Sequence, residues 1–137
     1  MADHKFIIKG TLPGLNEYLK AERGFHKTSN GKAFVKGNEM KQEYQILIAA
    51  AIREQLKKLK IKKPIYLSYY YYEPNRRRDH DNVASVAHKF IQDALVQCGV
   101  IEDDGWRNII GFSDQFFLDK HNPRIEIMIQ EVEQNEY

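Results

Sequence analysis

From Asn38 to about Lys60, apolar residues recur at three- to five-residue steps through Met40, Tyr44, Leu47, Ala51 and Leu56. That is the spacing of one face of an amphipathic helix, with Asn38 as its N-cap. A second stretch, Asn82 to Gln97, places Val83, Val86, Ala87, Phe90, Ile91, Ala94 and Leu95 on one helical face, and Gly99 follows as a C-terminal stop. Strand patterns surround these two helices. His4 to Gly10 reads as a short strand closed by Gly10, Pro13 and Gly14, and Pro64 opens an aromatic and β-branched run, Ile65 to Tyr72, that Pro74 stops. Asn108 to Leu118 and Arg124 to Ile129 are two more strand-like runs, the second alternating Ile125, Ile127 and Ile129 against Glu126, Met128 and Gln130. Turn residues at His121, Asn122 and Pro123 predict that these two pair as a hairpin.

The segment between the first strand and the first helix reads as loop. Its residues 20–37 carry Lys20, Arg23, His26, Lys27, Lys32 and Lys36 among Gly24, Gly31 and Gly37, too polar to pack a core alone and suited to ordering on a partner. The acidic residues 131–137 are expected to fray. There are no internal repeats and no linker. The predicted order is β-α-β-α-β-β, an α+β single domain over residues 1–137, with two main helices on one mixed sheet. A chain of 137 residues with 42% apolar side chains is long enough for one such core and short for two. Within it, the tyrosines Tyr69 to Tyr72 are read as sheet-face packing rather than as a base-stacking platform.

Charge refines this picture. Residues 1–60 hold 12 Lys/Arg against 6 Asp/Glu, whereas residues 61–137 hold 9 against 13, so a net charge of +2 conceals a basic half and an acidic half. The first suits a phosphate backbone and the second can hold divalent cations. The single cysteine, Cys98, excludes an internal disulfide, and the polar opening Met1 to Lys5 lacks the apolar stretch of a secretory signal, so the cytoplasm is the expected location. The longest purely apolar run, Ile46 to Ile52, has seven residues, against the roughly 20 of a membrane span, so no membrane partner is expected.

Chemistry concentrates where the tyrosine strand meets the second helix. In extended backbone the side chains of Asp79 and Asp81 point the same way, and two converging carboxylates repel unless a cation sits between them. The plain alternative is an N-cap Asp81 beside a turn Asp79. On the polar face of the following helix lie Asn82, Ser85, Lys89 and Asp93, resembling a nuclease site in which a lysine stabilises charge on the scissile phosphate; an ordinary Lys89–Asp93 surface pair is the competing reading. A second acidic group, Glu102-Asp103-Asp104, follows the helix, and is either a solvated turn or a further source of carboxylates for Mg²⁺. His80 and His88 read as solvated or capping side chains before they read as ligands.

Asp79-x-Asp81-Asn82-Val83, Lys89-x-x-x-Asp93-Ala94-Leu95 and Gly99-x-x-x-Asp103-Asp104, in that order, closely resemble the signature of the RusA-type Holliday junction resolvases of bacteria and prophages. The match is strong over residues 76–104 and reaches more loosely to Gly14-Leu15-Asn16-Glu17-Tyr18. The resemblance implies a homodimeric, Mg²⁺-dependent endonuclease, with Mn²⁺ able to substitute, acting on four-way DNA junctions. It makes Asp79, Asp81 and Asp104 the catalytic and metal-binding aspartates, Asp103 their acidic neighbour and Lys89 the catalytic lysine. Lys89 departs from the pattern: the family's lysine stands four residues beyond the second aspartate, where this chain has Ser85, and Lys89 stands eight beyond. Such an insertion is about one helical turn, which keeps the face but moves the group some 6 Å along the axis.

Beside the aspartates, Arg76, Arg77 and Arg78 are expected to grip phosphates, and the basic loop with Lys27, Lys32 and Lys36 to follow the DNA arms. A straight helix from Asn82 to Gln97 separates its ends by about 22 Å, while the chain from Cys98 to Asp104 spans at most about 20 Å fully extended. Either that loop folds back along the helix, or Asp104 enters the site from a twofold partner. Two rival functions share these residues: a branched-DNA-binding module without catalysis, and a metal-dependent phosphatase acting on small molecules.

Overall fold

The computed structural model describes residues 3–23, 25–27 and 33–133, with residues 25–27 and 33–36 through their backbone. Strand β1 (Asp3–Lys9) leads through helix α1 (Leu15–Glu22) to the short strands β2 (Phe25–Lys27) and β3 (Ala33–Val35). Helix α2 (Lys36–Leu56), strand β4 (Ile65–Glu73), helix α3 (His80–Gln97) and strands β5 (Ile109–Leu118) and β6 (Arg124–Glu131) complete the chain. The α+β class on a mixed sheet is as the pattern predicts. Three elements differ from expectation: the segment read as loop holds α1, where Leu15 and Tyr18 pack against the core, and the antiparallel strands β2 and β3.

The main sheet has the order β1-β6-β4-β5. β5 and β6 are therefore not a hairpin. β5 runs parallel to β4, β6 runs antiparallel to it, and β4 lies between them. The cause is in β4, whose burial alternates over all nine residues, with Ile65, Leu67, Tyr69, Tyr71 and Glu73 turned inward. It is the most continuously buried strand and has ladder partners on both sides. The loop 119–123 has only to pass one strand, a step of about 10 Å, and Asp119 N–H anchors it on Glu73 O at 2.8 Å.

Cross-strand rows set the inner face. Phe6 pairs with Ile127, which pairs with Tyr69, and Ile8, Ile125 and Tyr71 form the next row. Ile48 and Ile52 of α2 and the predicted apolar face of α3, from Val83 to Leu95, close over these rows as one core. Gln45 Nε2 donates to Phe90 O at 2.6 Å, which satisfies the buried amide at the α2–α3 crossing. α2 stops at Leu56, short of the expected Lys60, because Lys57 adopts a left-handed φ of 59°. Gly99, at φ 75°, ends α3 as its position predicts. Residues 131–133 do not fray: Glu131 pairs with Ile65, Val132 is buried, and Glu133 meets Lys63 at 2.8 Å. Residues 134–137 lie outside the described part. No described helix is long and apolar enough to cross a membrane.

On the outer face Tyr70 and Tyr72 stack with Phe117, and the Arg124 guanidinium lies 3.8 Å from the Tyr72 ring centroid. Arg124 also bonds Asp119 at 2.8 Å and Glu126 at 2.7 Å, and Lys5 reaches Glu126 at 2.8 Å. Hydrogen bonding from Lys5 first, and from Arg124 second, holds Glu126 below the usual carboxylate range. A carboxylate so depressed stabilises the fold above its unfolded pKa of about 4.3, and that contribution disappears as pH falls through the folded value. Melting temperatures of the native chain and Glu126→Gln should therefore differ above about pH 5, the native chain being higher, and converge as pH drops below 4.

Candidate active site

β4 and β5 are parallel, so their carboxyl ends lie together, and α3 begins beside them. Crevices of this kind, outside the carboxyl ends of parallel strands, are the usual ligand sites of such units. Here an open cleft of about 990 Å³ is lined by Arg76, Asp79, His80 and Asp81 on one side and Phe116, Phe117 and Leu118 on the other. Asp79 is the N-cap of α3, with extended backbone at φ −69° and ψ 154°, and Asp81 stands in the first turn. Asp79 makes no side-chain cap, and neither carboxylate has a side-chain hydrogen bond or ion pair among the described residues. Two carboxylates held at a helix N-terminus, where the backbone dipole favours negative charge, remain available to a ligand.

The three arginines divide. Arg78 donates to both oxygens of buried Glu73, at 2.9 and 3.0 Å, and to Leu12 O at 2.7 Å. Its guanidinium is a structural joint rather than a free phosphate grip. Arg76 lines the cleft, and Arg77 is exposed, its N–H donating to Asn75 Oδ1 at 3.0 Å. The loosely matched N-terminal segment packs on Asn82, the residue after Asp81: Asn16 N–H donates to Asn82 Oδ1 at 2.8 Å, and Gly14 packs so closely on that amide that a Cβ there would sit 2.6 Å from Asn82 Nδ2. Glu17 accepts from Gly14 N–H at 3.3 Å and lies 3.7 Å from Arg78.

Asp104 is elsewhere. It lines a separate depression of about 540 Å³ with Gln92, Trp106, Ile109 and Phe112, at the opposite end of β5. Asp103 Oδ1 accepts from Asp104 N–H at 2.8 Å, so Asp103 braces its own turn. Among the described residues, no three His, Cys, Asp or Glu side chains are close enough together to hold a metal ion. A single chain therefore does not unite Asp79 and Asp81 with Asp104. Nor does it bring Lys89 to the cleft, because that side chain is exposed and lies 3.9 Å from Asp93, which Lys41 holds at 2.8 Å. Ser85, at the family's lysine position, donates to Asp81 O at 2.5 Å. Lys27 falls in β2 and Lys36 opens α2, each described through the backbone, and Lys32 lies outside the described residues.

Between the two depressions runs a polar line that the sequence pattern did not reveal. Asp114 Oδ1 accepts from Tyr71 OH at 2.8 Å and bonds His88 Nε2 at 2.7 Å, and Gln92 reaches Tyr69 OH at 3.1 Å. Burial, and then the Asp114 hydrogen bond, push the Tyr71 hydroxyl far above its ordinary range, so it stays a donor. His80 stacks on Phe116 at 3.8 Å and forms the cleft's aromatic wall. The packing of α3 on β4 and the pairing of β5 with β4 assemble these groups, which is why spacing along the chain gave no signal for them.

The family model for endodeoxyribonuclease RusA matches residues 19–130. No curated protein matches the chain. The closeness of Gly14 to Asn82 is testable: Gly14→Ala must displace the amide and break the Asn16 bond, a loss of about 1 kcal/mol, which should lower the melting temperature by roughly 3 °C. Gly10→Ala, with nothing near its Cβ but a φ of +81°, controls for backbone strain alone.

Proposed function

The chain belongs to the RusA family of endodeoxyribonucleases, and from that membership we propose that it is a Mg²⁺-dependent enzyme resolving Holliday junctions by paired symmetric nicks, as a homodimer. The observation that carries the reading is the pair of uncommitted carboxylates, Asp79 and Asp81, at the N-terminus of α3 in a cleft that also presents Arg76. Hard, oxygen-only donors of this kind fit Mg²⁺ or Mn²⁺, which need few carboxylates when water and phosphate oxygens complete the shell. When bound, such an ion polarises water and neutralises charge developing on the phosphate.

The remaining work falls to the chain's own groups. Asp79 and Asp81 would hold the cation, Arg76 would bind a backbone phosphate in the same cleft, and Arg78 stays committed to Glu73. Asp104 completes the acidic set from a second copy, because within one chain it lines a different depression. A twofold dimer then carries two such sites, one for each strand of a symmetric junction. The exposed Lys89 serves as a more distant phosphate contact.

Cleavage of a synthetic four-way junction should need Mg²⁺ and stop with chelator, and Asp81→Asn should cut slower by a factor on the order of 10³ while binding the junction. Tight binding without cutting under any metal would leave a binding module; cutting of nucleotides in preference to junctions would leave a phosphatase. Mixing Asp79→Asn with Asp104→Asn should restore nicking that each variant lacks alone, since only a shared site is rebuilt in the heterodimer. Arg76→Ala should weaken binding and reduce the slope of log affinity against log salt by about 1, whereas Arg78→Ala should lower stability.

A further inference from the structure

The two edges of the main sheet are not alike. On β1, the Gln55 side chain occupies the outward groups of Ile7, accepting from its N–H at 2.7 Å and donating to its carbonyl at 2.8 Å. On β5, no described strand pairs with the outer side. Asp119 N–H bonds Glu73 O on the β4 side, and because backbone groups alternate along a strand, those of Phe112, Asp114, Phe116 and Leu118 point away from β4. β5 is ten residues long, has no Lys, Arg or Pro, and carries Phe112 48% exposed and Leu118 52% exposed. Edges left this way invite pairing, and proteins that avoid it place charges or prolines there. Its one charged side chain, Asp114, is engaged by Tyr71 and His88.

The two half-sites also lie along this strand. The Asp104 depression uses Ile109 to Phe112, and the Asp79–Asp81 cleft uses Phe116 to Leu118. Their midpoint on β5 is Asp114. Resting on the reading that Asp104 acts across a dimer, we propose that β5 pairs antiparallel with β5 of a second copy about a twofold axis at Asp114. In that register Ile110 lies opposite Leu118 and Phe112 opposite Phe116, so the inward-facing residues of one strand meet those of the other. The sheet continues through eight strands, and each Asp104 comes alongside the other copy's Asp79 and Asp81. Trp106, which is 93% exposed two residues beyond Asp104, is carried to the other copy's Phe117 and Leu118.

Cysteine pairing reads the register. With the axis at Asp114, Ser113 faces Gln115 of the other copy as a non-hydrogen-bonded pair, with Cα atoms about 4.5 Å apart, within disulfide reach. In a Cys98→Ser background, mixed Ser113→Cys and Gln115→Cys chains should oxidise to a covalent dimer, while each variant alone should not. Phe112→Pro removes an outward N–H without touching the β4 ladder, so it should give a monomer with Trp106 emission shifted to the red. Phe112→Ala keeps that N–H and should remain a dimer; far-UV circular dichroism checks that both fold. A native dimer whose mixed cysteine variants stay unlinked, or link only within each variant, overturns the β5 pairing. If Asp79→Asn and Asp104→Asn still complement in that case, the shared site stands and only this interface falls; a native chain that is monomeric while cutting junctions removes both.

Discussion

β4 is hydrogen-bonded on both flanks, and its inward residues are buried along its whole length. From this central place most of the molecule follows. β6 takes one flank antiparallel, and the other goes to β5, which can reach it only by a parallel crossover through α3. The crossover sets the amino end of α3 beside the carboxyl ends of two parallel strands, where a helix dipole, a strand-end crevice and two carboxylates coincide. Had β5 and β6 paired as a hairpin, the aspartates would still exist, but His80 would have no Phe116 to lie on and the cleft would lack its far wall.

The site is framed by a second constraint, the buried carboxylate of Glu73. An unpaired charge there would be costly, and removing its partner from such a pair typically destabilises by about 3–5 kcal/mol. Arg78 meets that need and at the same time ties three segments together: the end of β4, the loop at Leu12 and, through Glu17, the start of α1. α1 in turn buttresses Asn82, one residue past Asp81. The ion pair thus acts by positioning the helix start that carries the aspartates, while Arg78 itself stays committed to Glu73.

Much of this was legible in the chain. The apolar faces of α2 and α3, the alternation of β6, and the stop at Gly99 follow from spacing, because each is a local pattern with a single geometric solution. Asp79 and Asp81 were identified by their resemblance to a family, and the structure places both in one cleft. What failed to show were facts of pairing. Strand order is set by which strand is most buried, a property of the whole sheet, so adjacency in sequence misassigned β5 and β6. α1 hid in a segment whose polar residues and glycines outnumber Leu15 and Tyr18. Arg78 looked like its neighbours Arg76 and Arg77 because Glu73, five residues back, gives no sign in sequence that it points inward. Lys89 kept its spacing to Asp93, and that spacing describes a surface ion pair in the structure.

The contact between Gln55 and Ile7 has a consequence for the colloidal behaviour of the protein. An open sheet with two reactive edges is a monomer in the polymer chemist's sense, able to grow indefinitely from either end. With the amide and carbonyl of Ile7 already occupied, the middle of the β1 edge offers no backbone pair to a further strand. An addition along the sheet at β5 would leave two such edges outside, each obstructed at its centre by a side chain of α2, which disfavours growth beyond one step.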